Sequence, residues 1–300
     1  MTLAQRHITA GDLTPVTIKS ESTYGTPNGA TTLYGDVAEG GKFTFQDTAN
    51  PYVNWRYGSR SYDPNDYVTR QKDAAFNAVL EVRDIAGWKR IIEYATGPGG
   101  TSGDPLLASR TEEIFVKDGS VWTGRTYNGC KTNSLTIKAD APGGIVQFDE
   151  TVMAMKSASA TKNAAESVWS SSSAPAVQWM NGITVGGTEI YPQSFRLTIS
   201  NNLDRIRVSN NGNAITGALP EGRRSIEFEA DVWMEDLAYI NDAISNATVT
   251  DPIIVTLGIS NPVTLTMTGC KYMADGILPD IIQDKQRQTM RFRVANIAVA

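Results

Sequence analysis

The sequence predicts a mainly β chain of two tandem, similar β-barrel or sandwich domains, each with one short α-helix. Three observations carry that expectation. Apolar and polar residues alternate at every second position through most of the chain, the runs break at Gly, Pro and Asn, and a strand-helix unit recurs in the second half.

In chain order, the alternation and β-branched content predict strands over 41–47, 75–83, 134–138, 145–155, 194–200, 225–234, 253–257, 263–268 and 289–299. Two stretches change period. Over 84–94 the residues Ile85, Trp88, Ile91 and Ile92 fall at helical spacing, and over 235–244 Leu237, Ile240 and Ile244 do the same. A shift of 152 residues superimposes the two strand-helix units: Phe76 falls on Phe228, Ala78 on Ala230, Leu80 on Val232, Trp88 on Ile240, and Phe43 on Phe195. Farther on, Gly129-Cys130-Lys131 matches Gly269-Cys270-Lys271 at a shift of 140. The difference falls in the turn-rich stretch 97–104, since loops absorb insertions cheaply. Amphipathic strand-helix units also resemble one another by chance. The expectation taken forward is duplication, with a Ser-rich seam at 157–175 dividing a first domain, 1–165, from a second, 166–300.

Composition narrows the function. Of 300 residues, 27 are Lys or Arg and 32 are Asp or Glu, a net charge of -5 that argues against a protein built to grip nucleic acid. His7 is the only histidine, which excludes two-histidine zinc motifs and leaves a serine triad without a placed base. Cys130 and Cys270 form neither a disulfide framework nor a close metal pair, and each reads as a small buried apolar residue. No metal and no cofactor is expected, and no enzymatic activity. The pairs Glu112 and Glu113, or Glu235 and Asp236, could do acid-base work, but nothing in the sequence selects one. The stretch 97–103 is Gly-rich without the Lys-Ser/Thr of a phosphate loop, and reads as a surface loop. The chain opens without an apolar run of signal-peptide length, and no span of 18 apolar residues occurs.

Short pieces across the chain resemble the tail tube proteins of long, non-contractile-tailed bacteriophages and related archaeal viruses, in the version with a duplicated domain. They are Thr23-Tyr24-Gly25-Thr26, the Tyr- and Gly-containing segment after the first strand, Asn201-Asn202-Leu203 leading to Gly222-Arg223-Arg224, and the closing strands after each Gly-Cys-Lys. The resemblance implies a structural virion protein, assembled in the host cytoplasm. It also implies homotrimer rings that imitate hexamers, stacked into a tube around passing double-stranded DNA. Implied partners are further copies of itself and the tape-measure and tail-terminator proteins, with no membrane.

Two stretches are candidates for that role. Alternation over 225–231 puts Ile226, Phe228 and Ala230 on one face and Glu227, Glu229 and Asp231 on the other. If the acidic face lines a bore, it repels phosphate over about 8 Å in physiological salt, so that DNA slides. The same pattern fits the solvated face of an ordinary antiparallel strand. At the repeat-equivalent positions stand Ala75, Asn77 and Val79, so an acidic ring would come from alternate domains only.

The second stretch, 50–70, interleaves Tyr52, Trp55, Tyr57, Tyr62 and Tyr67 with Arg56, Arg60 and Arg70, the residue types that protein interfaces favour. The resemblance makes it an arm reaching the neighbouring ring. From the residues alone it could also be a loop over its own domain, a platform for single-stranded nucleic acid, or the surface of a carbohydrate-binding β module. Its counterpart, 201–224, has no aromatics and would make contacts by hydrogen bonds.

Overall fold

Two sets of β-strands account for the chain in a computed structural model that describes residues 16–26, 32–37, 43–53, 67–83, 85–97, 106–118, 121–161, 178–179, 181–210, 213–233, 241–242, 244–245, 247–258, 262–273, 280–282 and 285–300. In the first half run β1 (Val16–Ser20), β2 (Thr32–Val37), β3 (Phe43–Phe45), β4 (Thr48–Val53) and β5 (Tyr67–Glu81). Helix α1 (Ile85–Thr96) follows, and then β6 (Arg110–Asp118), β7 (Val121–Ala139), β8 (Gln147–Ala154) and β9 (Lys156–Thr161). The pairings β1·β2, β2·β5, β5·β8, β8·β7, β7·β6 and β6·β1 close on themselves, so this half is a barrel without an open edge along that path.

The second half runs β10 (Ile183–Val185), β11 (Thr188–Ile190), β12 (Ser194–Ser200), β13 (Ile206–Asn210), β14 (Asn213–Ala218), β15 (Ser225–Trp233), β16 (Ile253–Leu257) and β17 (Val263–Thr268). It ends with β18 (Lys271–Tyr272), β19 (Asp280–Ile282), β20 (Lys285–Arg293) and β21 (Asn296–Val299). Here a five-stranded sheet, β11-β10-β16-β17-β21, packs apart from the sheet that holds β12, β15 and β20. The halves are joined by a ladder of six pairs between β7 and β12, from Phe195 opposite Ala139 to Ser200 opposite Ser134. One sheet therefore runs β3-β5-β8-β7-β12-β15-β20, with β18 and β19 beyond β20.

Strand registers recur at the two shifts read from the sequence. Phe43 faces Ala78 between β3 and β5, and Phe195 faces Ala230 between β12 and β15. Lys131 faces Met153 between β7 and β8, and Lys271 faces Arg293 between β18 and β20. Thr126 faces Ala158 between β7 and β9, and Thr266 faces Ala298 between β17 and β21. Gly129 and Gly269 turn with φ of +66° and +64°, where glycine avoids the Cβ penalty. A Cβ at either would come within 2.7 Å of another Cβ, that of Met155 or of Ala295.

The core is what the alternation dictates. In β15, Ile226, Phe228, Ala230 and Val232 are buried and the intervening residues are not. α1 buries Trp88, Ile91, Ile92 and Ala95, with the Trp88 ring edge-on to Phe148 at 4.5 Å. It ends at Gly97, whose φ of +88° accompanies a donation from its N–H to the Glu93 carbonyl.

Three expectations need correction. The strand expected over 289–299 is two strands, β20 and β21, because the chain leaves one sheet at Val294 and Ala295 to enter the other. The seam expected over 157–175 begins as β9, since its small residues pair fully with β7, and the rest, Trp169 included, lies outside the described residues. α1 runs two residues past the expected end, because Ala95 and Thr96 are still buried against the sheet. Of the helix expected over 235–244, only the last residues are described. Asn241, Asp242 and Ile244 are helical, and Ile244 is exposed rather than packed. His7, Glu235 and Asp236 also lie outside the described residues.

Candidate assembly surfaces

Glu227, Glu229 and Asp231 share one half-buried face of β15, as the alternation requires. The flanking strands decide its charge. On β20, Arg293 stands opposite Glu227 and Arg291 opposite Glu229; on β12, Arg196 stands opposite Glu229. Arg291 Nε lies 3.0 Å from Glu229 Oε1. Asp231 accepts from the hydroxyls of Ser194 at 2.7 Å and Thr289 at 2.6 Å. Opposite charges facing each other across strands are mutually favourable, and here the carboxylates meet arginines from both flanking strands, one of which, Arg291, is ion-paired with Glu229. The sequence could not show this, because the arginines arrive from strands 33 residues before and 62 residues after Glu229.

The aromatic stretch lies at the other end of the sheet. Tyr52 on β4 pairs with Val68, and Tyr67 on β5 pairs with Val53, so both stand in one hairpin. Trp55, Arg56, Tyr57, Arg60 and Tyr62 lie outside the described residues. The counterpart hairpin, β13 and β14, runs parallel to β5 through Ala214 opposite Gln71 and Ile215 opposite Lys72. Arginines at this hairpin tie it to the rest of the chain by hydrogen bonds. Arg205 donates to the carbonyls of Ala154 at 3.1 Å and Ala74 at 2.7 Å and to the Thr216 hydroxyl at 2.9 Å, while Arg207 meets Asp73 at 3.0 Å. Burial lowers the pKa of Arg205, against the raising effect of Asp73.

Two buried arrangements hold these surfaces in place. Asn201 donates from Nδ2 to the carbonyls of Ala95, in the last turn of α1, and Thr132, at 2.9 and 3.0 Å. Arg224 donates to Asn201 Oδ1 at 2.8 Å and also to the Thr96 carbonyl. A cation at a helix C-terminus meets the negative end of the helix dipole, so residues of the second half cap the helix of the first. Under that helix Arg110, fully buried, donates to Glu112, to Glu150 at 2.7 Å and to Thr132 at 2.9 Å, and lies 4.6 Å from the Tyr94 ring centroid. Burial, with Glu150 nearby, pushes the Glu112 carboxyl up to about 8 against the lowering effect of Arg110. Glu112 therefore holds its proton to higher pH than an exposed carboxyl does. Glu113 instead accepts from the Thr126 hydroxyl.

Neither buried arrangement was foreseen. One signal was present: Glu150 sits between Phe148 and Val152 at the inward parity of its strand. Both cysteines are buried, and burial raises both thiols, Cys270 to about 11.

The family described as phage tail tube protein matches residues 11–294. The chain belongs to that family. No curated protein matches the sequence. As a tail tube protein it is a structural component of a virion tail, self-assembling into a tube.

Proposed function

We propose that the chain is the major tail tube subunit, a duplicated module of which three copies form a pseudo-hexameric ring, stacked around a DNA-conducting lumen. The observation that carries this reading is the recurrence of strand register at shifts of 152 and 140 residues. Two equivalent modules per chain let a threefold ring present six similar faces. The domains divide near residue 165, and the hairpin of β4 and β5, with Tyr52, Trp55, Arg56, Tyr57, Arg60, Tyr62 and Tyr67, is the arm to the next ring. Tape-measure and tail-terminator proteins meet this tube inside and at its end, and assembly takes place in the host cytoplasm.

The face of Glu227, Glu229 and Asp231 lines the lumen in this reading. It supports sliding because its carboxylates repel phosphate, and because a phosphate would have to displace Glu229 to reach Arg291. Negative-stain microscopy of the concentrated protein tests the reading. Rings or rods with an axial channel are expected, and a monomer at every protein and salt concentration would refute it.

A further inference from the structure

The stretch Gly222-Arg223-Arg224 does more than cap α1. Where it enters β15, beside the end of β20, it forms one wall of a cleft of about 360 Å³ lined by Asn202, Arg223, Arg224, Ser225, Glu227 and Arg293. The backbone fixes that wall. Gly222 donates its N–H to the carbonyls of Asn201 and Asn202 at 3.0 and 3.1 Å, and Asp204 donates to that of Pro220 at 3.1 Å. Asn202 is the one non-glycine residue with positive φ, +48°, among the described residues, and its Nδ2 donates to the Arg223 carbonyl at 2.7 Å. A left-handed backbone at a residue with a side chain costs free energy, and such positions gather where ligands are held. Arg224 is pinned from behind by Asn201 Oδ1 and the Thr96 carbonyl.

Two further cations of the cleft are uncommitted. Arg223 and Arg293 are exposed, and among the described residues neither guanidinium has a hydrogen-bond or ion-pair partner. Arg293 stands opposite Glu227 on β15 and opposite Lys271 on β18. Like charges directly opposite each other across strands, as Arg293 and Lys271 are, destabilise a sheet, and a bound anion relieves that repulsion.

We propose that this cleft binds the carboxylates of an acidic peptide segment of a partner protein. Guanidinium forks take planar carboxylates in bidentate pairs. Glu227 within the cleft and the net charge of -5 on the chain oppose a densely charged duplex, and the space suits a few side chains rather than a double helix. The site goes beyond the ring reading and does not depend on it, since it needs no second copy of the chain.

Fluorescein-labelled hexaglutamate titrated with the full-length protein at low salt, followed by anisotropy, tests the site. Saturable binding is expected. Arg223→Gln and Arg293→Gln should each weaken it about tenfold, the loss of one charge-assisted contact, and keep the wild-type thermal midpoint, because neither side chain holds another group of the chain. Glu227→Gln removes the cleft's own carboxylate and should tighten binding several-fold. Lys89→Gln, the same change of charge at an exposed position of α1, should leave it unaltered. A wild type without saturable binding, an equal loss from Lys89→Gln, or weaker binding by Glu227→Gln would each overturn the proposal. So would a duplex oligonucleotide that displaces the peptide at a lower concentration of charge than free hexaglutamate does, which would make the cleft a phosphate site.

Discussion

Arg110 brings one positive charge to a site where Glu112 and Glu150 are both buried and both accept from its guanidinium, so two carboxyls share a single cation. Burial raises the pKa of Glu112 from 4.5 to about 8. The native state then holds a proton that the unfolded chain releases. This contribution to stability is complete below about pH 4.5 and is lost as pH rises towards about 8. Urea midpoints across that interval should fall for the wild type and fall less for Glu112→Gln; parallel curves would contradict the assignment. The paired glycines make a second prediction at this scale. Gly129→Ala or Gly269→Ala places a side chain at a left-handed φ, costing about 1–2 kcal/mol before its contact with Met155 or Ala295 adds to the loss. Thermal melts should show both variants destabilised, and an unchanged midpoint would refute the account of that turn.

Among the elements, α1 and β15 were legible from sequence because their periods were strong and one face of each is buried. β12, β16 and β17 fall within their expected bounds for the same reason. β1, β2 and β6 were missed. In β6 the buried residues include Arg110, Thr111 and Glu112, and polar groups buried by mutual hydrogen bonding erase the alternation that marks a strand. β13 and β14 were missed because Ile206 and Val208 are exposed there, and the hairpin is held instead by Arg205 and Arg207. Cross-strand partners are not local in sequence, so the arginines facing Glu227 and Glu229 could not be read from β15 alone. The helix cap built by Asn201 and Arg224 is testable as an element. Arg224→Ala removes a charged donor from the end of α1 and should cost about 1–2 kcal/mol. Hydrogen exchange should localise the loss to α1 and its contact with β12, and a loss confined to β15 would contradict this.

At the scale of the molecule, one sheet crosses both halves and the helix of the first is capped by the second, so the chain is braced as a unit. In the proposed ring, the polar face on which Glu227, Glu229 and Asp231 meet arginines of the flanking strands is the wall turned to the lumen. The net charge of -5 adds a weak general repulsion of DNA. The strand alternation and the two shifts were readable from the sequence before any coordinates. The number of chains in one ring tests the central claim most directly. Native mass spectrometry of isolated rings, or the symmetry of end-on views, should give three copies of the 32.5 kDa chain. A ring of six copies would contradict it.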